Sequence, residues 1–150
     1  MKRPPRIAVR ALILQENRLL VVNAYGAGRG PELWCAPGGG IEPGTSLPDN
    51  LIREVYEETG LTVRVNAPAL INEFHNPDDG FHQVDLFFHC DITAGEVTKN
   101  WKDPEGIVSE RRFVTQTELS QLPHKPDSLR QVVWSPDTAP RYDALEPIVF

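Results

Sequence analysis

The feature that most constrains this chain is a glycine triplet that runs into a capped helix: GGGIEPGTSLPDNLIREVYEETGL, residues 38–61. The spacing predicts a helix over residues 46–59, with Ser46 as N-cap and Asp49 three positions on as acidic partner of the cap and the helix dipole. Gly60 supplies the residue that ends it in the left-handed conformation. At about 100° per residue, Leu51, Ile52, Val55, Tyr56 and Thr59 fall on one arc, an ordinary core face. Glu54, Glu57 and Glu58 fall on another, with Arg53 at its border. Like charges one turn apart cost ~0.2–0.5 kcal/mol even when solvated. A hard divalent cation turns that liability into a site, because Mg²⁺ takes oxygen ligands and suits one or two carboxylates plus substrate phosphates. The bare glycine backbone beside the helix can approach closely and offer a carbonyl, with Gly39 central. Arg53, four residues before Glu57, can hold that carboxylate's orientation. Residue types alone leave a plain solvated acidic face as the alternative.

Residues 6–14 and 18–24 are rich in aliphatic and β-branched residues, and Gln15-Glu16-Asn17 between them reads as a hairpin turn. Residues 61–75 and 81–92 are strand-like around the turn Asn76-Pro77-Asp78-Asp79-Gly80. A strand is expected over 110–115 and a helix over 115–122, where Glu118 stands three after Thr115. A short helix is expected around Ser128–Trp134, followed from about 135 by an irregular, proline-rich tail with no functional residue. Hairpins with few helices point to a mixed sheet covered by helices, an α/β (α+β) fold, in one domain over residues 1–150.

Composition narrows the function. The net charge of −6 disfavours a nucleic-acid polymer as partner, while a small phosphorylated substrate stays compatible because a bound cation inverts the local field. No apolar run approaches the ~18 residues that span a bilayer. Arg10 interrupts the apolar N-terminal stretch, which reads as the edge of the folded domain rather than a secretory leader, so a cytoplasmic protein without membrane contact is expected. Cys35 and Cys90 fit neither a disulfide framework nor a CxxC motif. Zinc is disfavoured, since His82 and His89 point to opposite faces of one strand.

Residues 39–61 resemble the Nudix box, G-x5-E-x7-R-E-U-x-E-E-x-G-U, where U is aliphatic. With Gly39 first, Arg53-Glu54-Val55-Tyr56-Glu57-Glu58-Thr59-Gly60-Leu61 matches its whole second half. The resemblance implies a Nudix-type α/β/α sandwich with a mixed β-sheet. It also implies hydrolysis, by water attack on phosphorus, of a nucleoside diphosphate linked to another moiety, such as a nucleoside triphosphate or nucleotide sugar. Mg²⁺, or Mn²⁺, would be held by Glu54, Glu57, Glu58 and the Gly39 backbone, with Arg53 supporting and Glu54 sharing duty as base. Members often draw a further glutamate from a downstream loop; here Glu105 is the first choice and Glu110 the alternative. Many relatives are dimers, so a homodimer is left open. One position departs: Thr45 stands where the pattern has its first glutamate, which keeps a non-catalytic nucleotide-binding module as the second reading. Thr45 is expected to accept a backbone N–H beside the cap.

Outside the box the signals are weaker. Arg29, in the loop YGAGRGPE, can reach a phosphate if that loop folds over the site. Tyr25, Trp34, Phe74 and Phe81 can stack on a base, although aromatics in strands usually belong to the core. The strand FHQVDLFFHC reads as core.

Overall fold

The computed structural model describes residues 3–135 and 139–149. Strands β1 (Arg6–Gln15) and β2 (Arg18–Asn23) form an antiparallel hairpin. Glu16 and Asn17 both take positive φ, 51° and 63°, as a two-residue type I′ turn requires. After the short β3 (Trp34–Cys35), the glycine triplet forms β4 (Gly38–Gly40), which lies antiparallel on β1 with Gly39 opposite Val9. A Cβ on Gly38 would sit 1.9 Å from the Val9 carbonyl oxygen, so only glycine fits there. Helix α1 (Leu47–Thr59) starts at Ser46, whose hydroxyl accepts from the Asp49 N–H at 3.2 Å, and ends at Gly60 with φ 78°. The long strands β5 (Thr62–Asn76) and β6 (Phe81–Ala94) form the second hairpin, and β7 (Arg111–Val114) pairs with β2. Helix α2 (Gln116–Gln121) carries the capping box expected from Thr115 and Glu118, and α3 (Leu129–Val133) follows.

The sheet is mixed, because β1 and β6 run parallel while the hairpins are antiparallel. Side chains alternate across it. Val9, Ala11 and Ile13 of β1 pack with Leu51 and Val55 of α1 on one face. Leu12 belongs to the other core, with Leu119 of α2 and Leu129, Val132 and Val133 of α3. Fully burying each such side chain contributes about 1.5–3 kcal/mol. The result is the expected α/β/α sandwich. Among the described residues no helix is long and apolar enough to cross a membrane.

Three expectations are corrected. The tail is not irregular throughout: β8 (Arg141–Tyr142) and β9 (Glu146–Pro147) run parallel along β5, at Leu70–Ile71 and at Phe74–His75. Without them the outer edge of β5 would leave backbone donors and acceptors unpaired. Residues 136–138 of that tail lie outside the described residues. Tyr56 leaves the core arc and is half exposed, its ring edge-on to Trp101 at 5.2 Å. The FHQVDLFFHC strand is not simply core, since its alternate residues Phe81, Gln83, Asp85 and Phe87 line a cavity.

Candidate active site

The helix sets Glu54 and Glu57 three residues apart on adjoining turns of one face, and a loop from far along the chain brings a third carboxylate. Oxygens of Glu54, Glu57 and Glu105 all lie within 4.8 Å of one another. The loop is anchored to the end of α1, where helical carbonyls lack intrahelical partners. Trp101 Nε1 donates to the Glu57 carbonyl at 2.8 Å, and Arg111 Nε donates to the Glu58 carbonyl. The Trp101 ring takes the space a Cβ on Gly60 would need, 2.8 Å from it. Within the loop, the Asp103 carboxylate accepts from the N–H groups of Glu105, Ile107 and Val108 at 3.0, 3.2 and 2.9 Å. Asp103 therefore builds the turn that presents Glu105. The sequence reading missed both anchors; the KDPEG turn pattern was the signal for Asp103.

Electrostatics make this group unfavourable by itself. Glu54 is only 5% exposed. Burial raises its pKa, Arg53 opposes the rise, and the carboxylates of Glu105 and Glu57 add to it. Arg53 spans the face: its guanidinium lies 3.3 Å from Glu54 and 3.4 Å from Glu57, and 3.7 Å from Glu42. Glu58, expected beside the other two, stands outside the group. Its buried carboxylate accepts from the Gly38 N–H at 3.1 Å, since a carboxylate removed from water needs a donor. Burial pushes its pKa up to about 8, against the lowering effects of Arg10 and that hydrogen bond.

The glycine strand separates two environments. A Cβ on Gly39 would lie 2.7 Å from the Glu54 carboxylate, and one on Gly40 would lie 2.4 Å from the Arg6 guanidinium. Arg6 and Arg10 line the neighbouring cavity, which has a volume of about 220 Å³. Arg10 donates to the Ala36 and Gly38 carbonyls at 3.3 Å and faces Asp85 at 3.7 Å. Tyr25, Phe74 and Phe81 also line this cavity, whereas Trp34 is buried in the core under the Arg112 guanidinium. The Tyr25 hydroxyl donates to the Val149 carbonyl, tying the 25–30 loop to the tail. Arg29 is not among the residues that line the cavity; its stem lies against Gly26. Glu110 is likewise absent from the group, and its N–H is spent on the Asn23 side chain.

With this geometry in view, the profile of the NUDIX domain matches residues 4–134. The chain belongs to the Nudix family of hydrolases. It is 30% identical over 95 residues to YjhB of Bacillus subtilis, provisionally named an ADP-ribose pyrophosphatase; the match covers 61% of this chain and 44% of that protein. It is 32% identical over 114 residues to the diphosphoinositol polyphosphate phosphohydrolase NUDT4B of Homo sapiens, covering 75% and 59%. These curated relatives are therefore longer, and the chain spans about half of each. A solved NUDIX hydrolase from Nitrosomonas europaea superimposes with a TM-score of 0.71 at 22% identity, covering 87% of this chain and 86% of that one, which supports the shared Nudix fold.

The Nudix residues present fit a divalent cation. Hard oxygen donors converge, one is buried against a glycine that leaves room for it, and an arginine fixes two of them. At the departure from the box, Thr45 does not take the expected hydrogen bond. Asn50, fully buried, ties the junction instead: its amide donates to the Thr45 and Ser46 carbonyls at 2.9 and 2.8 Å and accepts from the Glu42 N–H at 2.9 Å. Three hydrogen bonds from a neutral amide hold the loop that Thr45, exposed and uncharged, leaves unsupported.

Proposed function

We propose that this chain hydrolyses the pyrophosphate bond of a nucleoside diphosphate joined to a second group, with Mg²⁺ or Mn²⁺ as cofactor. The observation that carries the reading is the convergence of Glu54, Glu57 and Glu105 within 4.8 Å from two distant segments. Glu54 and Glu57 would hold the cation, which supplies charge neutralisation for the diphosphate. Arg53 keeps both carboxylates aimed, and Glu58 holds the glycine strand through the Gly38 N–H. Glu105 is the exposed member and takes the proton. A water oxygen attacks one phosphorus, its proton passes to a Glu105 carboxylate oxygen, and the bridging P–O bond breaks to release two phosphate-bearing products. No covalent nucleophile is required.

Two substrate classes are suggested by the relatives: a nucleotide-linked diphosphate and a diphosphoinositol polyphosphate. The cavity favours the first. Its aromatic walls suit a planar base, and its cations are already engaged: Arg6 with Gln83, Arg10 with Asp85, Lys125 with Glu146. A ring bearing many phosphates needs free cations, and the chain carries net charge −6. The alternative of a non-catalytic module is weakened by Asn50, which supports the junction where Thr45 departs. The test is product release from a panel of ADP-ribose, nucleoside triphosphates, nucleotide sugars and a diphosphoinositol polyphosphate, with Mg²⁺, with Mn²⁺ and with chelator. Metal-dependent turnover of nucleotide compounds is expected. Saturable binding without turnover of any compound supports the module.

A further inference from the structure

The cavity beside the glycine strand contains two hydrogen-bond acceptors that no described residue uses. Asn72 of β5 and Asp85 of β6 are direct cross-strand partners, 3% and 5% exposed, and both line the cavity. Side chains so opposed start from Cβ atoms about 5 Å apart. Asp143 of the tail fixes which way the Asn72 amide points, because Nδ2 donates to its carboxylate at 3.2 Å. That carboxylate is held in turn by the Ser128 hydroxyl at 2.5 Å and by Arg141 Nε at 3.1 Å. With Nδ2 committed, Oδ1 of Asn72 has no partner among the described residues. Asp85 is similar: Oδ1 accepts from Gln83 Nε2 at 2.8 Å and faces Arg10, while Oδ2 accepts no hydrogen bond among the described residues. Gln83 itself is used at both ends, since its Oε1 accepts from Arg6 at 3.0 Å. Neither free oxygen is sealed in the protein, because the unpartnered side-chain atom that is sealed among the described residues is His124 Nε2. Both therefore open to the cavity, where a ligand that displaces solvent from them must supply donors or bind less well. Phe74 and Phe81, with ring centroids 6.1 Å apart, supply apolar walls beside them.

We infer that Asn72 and Asp85 select substrates whose cavity-bound ring carries an exocyclic amino group, one N–H donating to Asn72 Oδ1 and the other to Asp85 Oδ2. Adenine and cytosine carry such a group; hypoxanthine and uracil carry an oxo group in its place. The oxo group sets a third acceptor against two and leaves the one ring N–H beside it as the sole donor there, so at least one protein oxygen stays unpaired. This inference rests on the nucleotide reading of the site and adds its specificity.

The experiment compares kcat/KM of the unmodified protein, with Mg²⁺, on matched pairs of one diphosphate compound: adenosine against inosine form, and cytidine against uridine form. The amino member of at least one pair is expected to be favoured by about 10–100-fold. Asn72→Leu should collapse that ratio, whereas Glu57→Gln should slow both members alike and leave the ratio unchanged. Equal kcat/KM within both pairs overturns the inference while leaving hydrolysis at the carboxylates standing. Failure to hydrolyse any nucleotide with either metal overturns the nucleotide reading, and this inference with it. Because the pairs are compared on the unmodified protein, the result stands even if Asn72→Leu does not fold.

Discussion

Glu54 and Glu57 stand on adjoining turns of one helix, whereas the polar residues of the neighbouring cavity come from β1, β5, β6 and the tail. The first arrangement is local. Its geometry follows from the helical repeat, and only Glu105 has to be delivered from elsewhere. The second is assembled by strand register: Asn72 meets Asp85, and Phe74 meets Gln83, because β5 and β6 pair as they do. A site of the first kind is strained by its own charge and rigid by its caps. A site of the second kind has satisfied ion pairs and depends on the tail to orient Asn72. The difference teaches that the proposed chemistry and the proposed selectivity draw on separate parts of the sequence, joined at three glycines.

Substitutions can break that separation or sharpen it. Glu57→Gln should lower kcat by about 10²–10³-fold, the scale of losing an electrostatic group at the reacting centre. The thermal midpoint should stay the same or rise, since one of the crowded charges is gone; an unfolding scan beside the rate assay checks both. Next in size, Asp103→Ala should lower kcat about tenfold with little change in KM, because the turn presenting Glu105 loses the three hydrogen bonds that the Asp103 carboxylate accepts while the cavity is untouched. A change confined to KM would place Glu105 on the substrate-binding side instead. Thr45→Glu should leave kcat at saturating Mg²⁺ within about twofold, consistent with a surface substitution away from the site; a metal titration of both proteins reads it. A large loss would show that Thr45 has a role its exposed position does not reveal.

The smallest effect concerns pH. Hydrogen bonds from the Tyr142 hydroxyl and from His82 hold the Glu73 carboxyl below its ordinary value of 4.5. A carboxyl depressed in the folded state contributes stability above the unfolded value, and that contribution is lost as pH falls through the folded one. The thermal midpoint of the unmodified protein should exceed that of Glu73→Gln by no more than about 3 °C near neutrality. The gap should close in acid, as pH falls below the ordinary value of 4.5 and through the depressed folded one. A gap that widens in acid would contradict the sign.

Much of the carboxylate side was legible because its signals are local. Ser46 and Gly60 bracket the helix, Glu16-Asn17 makes the hairpin turn, and the spacing of Glu54 and Glu57 fixes their common face. Glu105 was legible as a candidate, but its place beside Glu54 and Glu57 was not, since nothing in KDPEG states that Trp101 and Arg111 dock on the end of α1. Glu58 shares the helix face as the wheel implies, but a wheel gives direction and not the nearest donor, and the Gly38 N–H lies within its reach. The cavity was hidden for a different reason. Gln83 and Asp85 alternate with apolar residues, which looks like an imperfect core strand until the facing strand supplies Asn72. The tail strands were invisible because pairing along an open edge uses backbone groups, which any side-chain pattern can provide.

The most direct test of the account is a calorimetric titration of Mn²⁺ into the unmodified protein, Glu54→Gln and Glu57→Gln, each verified as folded. If Glu54 and Glu57 together hold one cation, the unmodified protein binds saturably and each variant binds at least about tenfold more weakly. Undiminished binding in both variants would contradict it.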